Sequence, residues 1–223
     1  MTAAHHALMD RIYRHQRHFY DLTRLPYLFG RDTLIRHLDA KPGDRILEIG
    51  CGTARNLIKI AHAYPGTLLW GIDASSEMLR TAKAAVERAD LSPRIVLMHG
   101  LAEDASALLA RANPPFDHIV FSYSLSMIAN WKAALAAAQG ILSAEGQLHV
   151  VDFGDLKGLW PTIANLLRAW LRWFHVELRA ELLYEAETAA RNRHDCRLKL
   201  LFGRYAFVFQ ASSAVLVKIA HEH

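Results

Sequence analysis

A glycine-containing segment near residue 50 has residue types that suit a ligand with a positive charge. Glu48 lies near the end of an apolar run, and Gly50, Cys51 and Gly52 follow it. Glycine allows a tight turn and a close approach of the backbone to a ligand. A helix predicted to begin near Arg55 would direct its N-terminal amide groups at the same place. We therefore predict a ligand site at this turn, with the carboxylate of Glu48 complementing a cation.

A second carboxylate follows at a spacing that suits a ribose. Asp73 comes about twenty residues after Gly52, next to the predicted strand Leu68–Ile72, and can accept hydrogen bonds from both ribose hydroxyls. A dinucleotide-binding loop would have glycine where this chain has Arg55, so a pyrophosphate is poorly accommodated. S-adenosylmethionine (SAM) has no phosphate and carries a sulfonium, an ammonium and a carboxylate. SAM is therefore the ligand that we predict.

Short apolar runs alternate with helical patterns, which is typical of a parallel sheet with crossover helices. The predicted strands are Arg45–Ile49, Leu68–Ile72, Ile95–His99, His118–Ser122, Gln147–Asp152, Arg197–Phe202 and Tyr205–Gln210. The predicted helices are Arg55–Tyr64, Ser76–Ala89, Glu103–Ala112, Trp131–Leu142, Leu159–Phe174 and Leu178–Asn192. Only Gly203 and Arg204 separate the last two strands, which predicts a hairpin. We expect one α/β domain over residues 1–223, with a Rossmann-like seven-stranded sheet that ends in an antiparallel hairpin.

Two helical regions are not needed to build this sheet. Residues 1–40 contain helical patterns at His5–Phe19 and Arg31–Leu38, and we expect a lid or substrate segment there. Residues 155–192 are predicted to be a helical insertion that can face a membrane. In its first helix, tryptophan and leucine are mixed with Arg168 and Arg172, which is typical of an amphipathic helix lying in a bilayer surface. The alternative is a lid helix with its tryptophans in the core.

Composition limits the class of protein. The chain has 223 residues, 52% of them hydrophobic and 22% charged, which suits one folded domain. Cys51 and Cys196 are its two cysteines, so a disulfide framework is excluded and a reducing compartment is expected. Met1–Ala7 is too short and polar for a secretory signal, and no apolar run is long enough for a transmembrane helix. We expect a cytoplasmic protein whose net charge of +4 allows peripheral docking on an anionic inner membrane face, or simply gives a solvated basic face.

Several sequence strings resemble one enzyme family. Glu48, Gly50, Gly52 and Asp73 resemble the pattern of the class I SAM-dependent methyltransferases. More specific strings resemble the diacylglycerylhomoserine N-methyltransferases of bacterial betaine-lipid synthesis, and this resemblance covers nearly the whole chain. These strings are YRHQRH at 13–18, YDLTR at 20–24, GRD at 30–32, SYSLSMI at 122–128, VDFG at 151–154 and WFHV at 173–176.

The resemblance implies a class I methyltransferase fold and successive methyl transfers from SAM to the amine of a homoserine head group on diacylglycerol. This chain departs from the family at Ala54, where the usual motif has a third glycine, and at Ala129 and Asn130, where the family often has a proline. The loop after the strand Ile95–His99 lacks the acid that commonly binds the adenine amine. Glu103 or Asp104 takes that place, or Leu101 and Ala102 offer backbone and apolar contact. The predicted cofactor-binding residues also include Arg31, Ala74, Met78 and Ser122.

The acceptor side of the reaction has its own candidates. Aromatic faces stabilise a quaternary ammonium by about 0.5–2 kcal/mol each, and Tyr20, Tyr123 and Phe153 are candidates for such a cage. The alternative for each ring is packing in the core. Asp152 is the first candidate for a general base, ahead of the histidines at 149 and 175, and His149 suits a core position better than a catalytic one. Asn130 is predicted to border the active site.

Other activities stay open beside this one. They are methylation of another lipid or soluble amine, use of the aminocarboxypropyl group of SAM, and binding of SAM without turnover. We expect no metal. We also expect no nucleic-acid partner: the string Asn113–Phe116 reads Asn-Pro-Pro-Phe, as in a catalytic loop of nucleic-acid methylation, but it precedes a strand, whereas such a loop follows one. The sequence leaves the acceptor and the oligomeric state open.

Overall fold

A computed structural model describes residues 28–110, 115–173 and 176–213. The predicted helix His5–Phe19, Tyr20 and the arginines at 11, 14, 17 and 24 lie outside these residues, as does His175. Within the described part of the chain, no helix has the length and hydropathy required to cross a bilayer.

Strands and helices alternate along the chain as the apolar pattern predicts. The strands are β1 (Arg45–Ile49), β2 (Leu68–Asp73), β3 (Ile95–His99), β4 (Phe116–Ser122), β5 (Leu142–Phe153), β6 (Cys196–Leu201) and β7 (Ala206–Ser212). The helices are α1 (Arg31–Arg36), α2 (Arg55–Ala63), α3 (Ser76–Arg88), α4 (Ala105–Leu109), α5 (Trp131–Ile141), α6 (Pro161–Trp173) and α7 (Ala180–Asn192). A 3₁₀ turn at Ala102–Asp104 precedes α4, so this helix begins at Ala105 instead of the predicted Glu103, and the last two residues of the predicted helix, 111 and 112, lie outside the described residues.

The strands form one seven-stranded sheet in the order β3-β2-β1-β4-β5-β7-β6. Strands β1 to β5 run parallel to one another, and β7 runs antiparallel to both β5 and β6. The predicted Rossmann-like sheet with a C-terminal antiparallel hairpin is therefore confirmed. The second strand of the hairpin, not the first, pairs with β5, and β6 becomes the edge of the sheet.

Side chains alternate across the sheet and build a core on each face. Leu47 and Ile49 of β1 pack with α4, α5 and α7, whereas Ile46 packs with α1, α2, α3 and α6 on the other face. Strands buried on both faces explain why the sequence shows continuous apolar runs instead of polar alternation. Glu48 is two residues from Ile46 along β1, so its side chain lies on the same face of the sheet, toward α2.

The position of a ligand site follows from this strand order. Strands β1 and β4 are neighbours, but the chain leaves β1 toward β2 and β3 on one side and leaves β4 toward β5 on the other. In open α/β sheets, ligands bind outside the carboxyl ends of the strands at such a switch point. Ile49, Asp73 and Ser122 are the last residues of β1, β2 and β4. The site is therefore expected at these residues.

We predict that Gly50→Ala destabilises the protein more than Gly43→Ala does. Both glycines have left-handed φ angles, 78° and 95°, so each substitution introduces backbone strain of about 1–2 kcal/mol. At Gly50 a Cβ would also lie 2.5 Å from Cβ of Ser124, whereas at Gly43 it would meet nothing within 4 Å. Overpacking adds about 1–3 kcal/mol at Gly50. Urea unfolding of the two variants measures this difference, and equal free energies of unfolding would contradict the described packing.

Candidate active site

A cavity of about 340 Å³ opens at the carboxyl ends of β1, β2 and β4. Many of the residues predicted for the site line it. They are Arg31, Glu48, Gly50, Cys51, Gly52, Asp73, Ala74, Met78, Leu101, Ala102, Ser122, Tyr123 and Asn130. Ser124 also lines it, as do Leu28, Thr53 and Asn56, which sequence reasoning did not single out.

The floor of the cavity is the turn between β1 and α2. Gly50, Gly52 and Ala54 have φ angles of 78°, 55° and 63°, so the backbone enters the left-handed region three times within five residues. The amides of Gly50 and Cys51 donate to the carbonyl of Ile72 at 2.8 and 3.0 Å, which ties the turn to β2. A Cβ added to Gly52 would meet no atom within 4 Å. The space beside Gly52 is therefore open for a ligand.

Glu48 supplies a buried carboxylate with a hydrogen-bond partner for only one of its two oxygens among the described residues. Its Oε1 accepts a hydrogen bond from Nδ2 of Asn56 at 2.7 Å. Its Oε2 is buried and has no hydrogen-bond partner among the described residues. Burial raises the pKa of Glu48 to about 7, and the hydrogen bond from Asn56 and the charge of Arg31 oppose this rise. A buried oxygen of this kind at a cavity wall is a site for a cationic group. The position of Asn56 at the start of α2 is the signal that could have predicted its contact.

Asp73 holds the other side of the turn. Its Oδ2 accepts from the amide of Gly52 at 2.8 Å, and its Oδ1 accepts from the amide of Ser75 at 2.9 Å. Burial raises the pKa of Asp73, and these two amides partly offset the effect. A carboxylate has about four acceptor positions, so Asp73 can still accept hydrogen bonds from a diol in the cavity.

The loop after β4 forms the opposite wall. Ser122 Oγ is buried without a hydrogen-bond partner in the described part of the chain, and Ser124 Oγ donates to the carbonyl of Ile49 at 2.9 Å. Tyr123 has a φ of 56°, which is uncommon for a bulky residue. Its hydroxyl donates to the carbonyl of Phe29 at 2.5 Å. Burial raises the pKa of Tyr123, so this hydroxyl stays protonated and links the wall to the segment before α1.

Phe153 and Asp152 do not line the cavity. Phe153 is buried behind Tyr123, with the two ring centroids 4.6 Å apart. Asp152 is also buried, and its carboxylate accepts hydrogen bonds from the amides of Ser126 at 3.0 Å and Phe153 at 2.8 Å. Burial raises the pKa of Asp152 to about 6. The carboxylate of Asp152, the first candidate for a general base, therefore turns toward amides that compensate for the loss of water instead of lining the cavity, and it supports the loop after β4.

His149 lies in the interior of the sheet. Its Nε2 is 3.1 Å from Nδ1 of His118, whose Nε2 is 3.2 Å from Oδ2 of Asp44. Burial lowers the pKa of His149 to about 3, so the ring is neutral. Asp44 precedes β1, which places this chain of polar groups toward the amino end of the strands, away from the cavity.

The rim of the cavity is formed by the segment before α5 and by the turn after β3. Asn130 is exposed at the rim, and its side chain makes no capping hydrogen bond to α5. Arg179, which sequence reasoning missed, donates to the carbonyl of Ile128 at 3.1 Å and braces this segment. Of the two acids considered for the adenine amine, Glu103 lines the cavity and Asp104 does not.

Comparisons with known proteins agree with this geometry. Residues 46–146 match a family model described as a methyltransferase domain. The demethylmenaquinone methyltransferase of Corynebacterium glutamicum is 31% identical over 139 residues, which cover 60% of this chain and 54% of that protein. The chain thus spans about half the length of the curated relatives that it matches.

Solved structures show the same fold. A SAM-dependent methyltransferase from Aquifex aeolicus superposes with a TM-score of 0.59 and 17% identity over 85% of this chain and 92% of that one. Phosphoethanolamine N-methyltransferase 2 of Haemonchus contortus, solved with SAM, superposes with a TM-score of 0.60 and 16% identity, covering 77% of this chain and 38% of that one.

Residues 46–146 match a methyltransferase domain, and the fold of the described residues is that of solved SAM-dependent methyltransferases. The comparisons therefore support the predicted enzyme class and its cofactor, SAM. The residues present fit the cofactor, because the cavity offers an unsatisfied buried carboxylate oxygen, open space at Gly52 and a second carboxylate beyond it.

We predict that Glu48→Gln stabilises the unliganded protein at pH 8 by about 1–3 kcal/mol and weakens SAM binding about tenfold or more. The folded pKa of Glu48, about 7, lies above its ordinary value of 4.5, so ionising this carboxylate disfavours folding. Its favourable contribution is complete below pH 4.5 and is lost as the pH rises through 7. The gain in the glutamine variant should therefore be absent near pH 4, grow as the pH rises above 4.5 and be complete above pH 7.

Urea unfolding and calorimetric titration with SAM at several pH values measure these effects. The exposed Glu145→Gln variant is the matched control and should change neither quantity. A glutamine variant with wild-type SAM affinity at pH 8 would contradict the role assigned to Glu48.

Proposed function

We propose that this protein transfers methyl groups from SAM to the amine of diacylglycerylhomoserine and so forms the trimethylated betaine lipid. The observation that carries the methyl-transfer part is the pair of acids, Glu48 and Asp73, on two sides of a cavity floored by a left-handed turn. The acceptor is proposed from the resemblance of strings along nearly the whole chain, and the surface around the cavity supports it.

The residues of the donor side have separate tasks. Glu48 would pair with the ammonium of the methionyl group, and Asp73 would accept hydrogen bonds from the ribose hydroxyls. Met78, Leu101 and Ala102 offer an apolar wall for the adenine ring. When bound, SAM supplies a methyl group activated by a positively charged sulfur.

The acceptor side needs a neutral amine nitrogen and a route for its proton. The rim at Ala129 and Asn130 is exposed, so the proton can pass to water without a dedicated base. Ser122 has a buried hydroxyl that lacks a partner among the described residues, and it can orient polar groups of the acceptor. The ring of Tyr123 lines the cavity, and its face would stabilise the quaternary ammonium. Tyr20, proposed for the same cage, lies outside the described residues.

A lipid acceptor is supported by a group of exposed apolar side chains, which we call the exposed apolar face. Its members are Phe29, Trp160, Ile163, Leu166 and Phe202, which are 41%, 79%, 51%, 72% and 62% exposed. The ring centroids of Phe29 and Phe202 are 4.6 Å apart, and Gly203 packs against Leu159, next to Trp160. Phe29 follows Leu28, which lines the cavity. The apolar face therefore begins at the mouth of the cavity that would hold SAM, which we call the donor cavity.

The helix α6 has the composition expected for a membrane surface. Its inner side packs on the core through Ala164 and Leu171. Trp170 packs partly against the same core, as the lid alternative expected, whereas Trp160 points outward. Arg172 and Lys157 are exposed near the apolar residues and would contact anionic head groups. We propose peripheral docking of this face on an anionic membrane.

A second candidate is C-methylation of a quinone. It is favoured by the similarity to the demethylmenaquinone methyltransferases, which reaches 31% identity. Both acceptors are apolar molecules, so the exposed apolar face serves either one. The chemistry of the accepting atom separates them.

We expect the purified protein to convert SAM to S-adenosylhomocysteine when diacylglycerylhomoserine in detergent micelles is the acceptor. Mass spectrometry of both products should show the mono-, di- and trimethylated lipid. Parallel reactions contain demethylmenaquinone, phosphatidylethanolamine or no acceptor. Methylation of the quinone alone would replace the proposed acceptor by the second candidate, and release of methylthioadenosine would show aminocarboxypropyl chemistry instead.

We expect Trp160→Ala/Leu166→Ala to reduce binding to vesicles of equal parts phosphatidylcholine and phosphatidylglycerol about a hundredfold or more. The physical reason is the loss of two large apolar side chains, each of which contributes about 1.5–3 kcal/mol when buried from water. The matched control is Tyr184→Ala, because Tyr184 is 66% exposed on α7, on the opposite face of the sheet. Co-sedimentation measures the effect. Equal loss in the two variants would place the docking surface elsewhere.

A further inference from the structure

A second groove adjoins the donor cavity and has a different character. It has a volume of about 360 Å³ and lies between α2, α3 and the start of α1. Its lining residues are Arg31, Thr53, Arg55, Ile58, Lys59, Thr81, Ala85 and Arg88. Arg31, Thr53 and Arg55 also line the donor cavity, whereas the other five residues belong to the groove alone. We call it the basic groove.

Charge in the basic groove is strongly one-sided. Four of its lining residues are cationic, and no acidic residue of the described structure lines it. Asp32 of α1 approaches from the edge, with Oδ1 2.7 Å from Nζ of Lys59 and 3.8 Å from Nη2 of Arg55. The hydrogen bond from Lys59, together with its charge, lowers the pKa of Asp32, so this carboxylate is ionised and offsets one of the four cations. An excess of positive charge remains at the groove.

The kinds of side chain indicate what the basic groove would bind. A guanidinium presents a planar set of donors that matches the oxygen atoms of a phosphate, and three of the four cations are arginines. Thr53 and Thr81 place hydroxyls beside these cations, and that of Thr81 donates to the carbonyl of Glu77 at 3.3 Å. Among the described residues that line the groove there is no aromatic ring on which a base could stack, so nucleic acid is a poor match.

We infer that the basic groove is an anion site for a phosphate group, placed beside the methyl donor through the shared residues Arg31, Thr53 and Arg55. The phosphate belongs either to a soluble phosphate ester or to a lipid head group. This site goes beyond the proposed function, since Lys59 and Arg88 have no place in the donor cavity and the proposed acceptor carries no phosphate.

The test uses pyrophosphate as the probe, titrated calorimetrically into the full-length protein at low salt. We expect Lys59→Gln/Arg88→Gln to bind pyrophosphate about tenfold more weakly or worse, because two charge-assisted contacts are lost. Lys83→Gln is the matched control, an exposed cation on α3 outside the groove, and it should change the affinity by less than about twofold. Asp32→Asn should tighten binding severalfold, because it removes the acid that competes for Lys59.

The affinity of each variant for S-adenosylhomocysteine separates this proposal from the methyltransferase proposal. It should be unchanged in the double variant, and an equal loss of both ligands would show that these cations serve the donor cavity and would overturn the groove. Absence of pyrophosphate binding by the wild type, or equal binding by the double variant and Lys83→Gln, would overturn it as well. If the groove holds a lipid phosphate, the double variant also loses binding to phosphatidylglycerol vesicles. If it holds a soluble ester, vesicle binding is unaffected while the pyrophosphate result stands.

Discussion

The turn between β1 and α2 is the constraint on which the rest of the site depends. The backbone adopts left-handed angles at residues 50, 52 and 54, and it keeps this shape because β2 holds it at two places. The carbonyl of Ile72 accepts the amides of Gly50 and Cys51, and the carboxylate of Asp73 accepts the amide of Gly52. One strand end therefore shapes the floor of the cavity and also supplies Asp73, the acid proposed to bind the ribose.

Glu48 and Asp152 are both acids in buried strands, and the sequence does not distinguish their surroundings. Glu48 leaves one buried oxygen without a partner among the described residues, whereas both oxygens of Asp152 accept backbone amides. A buried acid that is unsatisfied reduces the stability of the unliganded protein and favours a cationic ligand. A buried acid that is satisfied orders the loop around it, and Asp152 does this for the segment that carries Ser126.

The surface around the cavity connects the cofactor to its surroundings. One side of the mouth continues into exposed apolar residues from three separate parts of the chain, at Phe29, around α6 and in the β6–β7 turn. Another side continues into the basic groove between α2 and α3. The apolar and the cationic surfaces both begin at residues close to α1, namely Leu28, Phe29 and Arg31. The short segment before and within α1 is therefore the place where the cavity, the exposed apolar face and the basic groove meet.

Local patterns in the sequence determined the class of fold, most of the strand and helix positions and the two acids of the donor site. They could do so because strand burial, helix period and glycine turns are properties of neighbouring residues, and because the carboxyl ends of parallel strands meet at one edge. Only the tertiary structure decided that β7 inserts between β5 and β6, that Asn56 donates a hydrogen bond to one oxygen of Glu48, and that Asp152 does not line the cavity. Likewise, no spacing rule brings Phe29 to Phe202 or places Arg88 and Arg31 along one groove, since these arrangements depend on how distant elements pack. Side chains of one type take different roles there according to which backbone groups lie within reach.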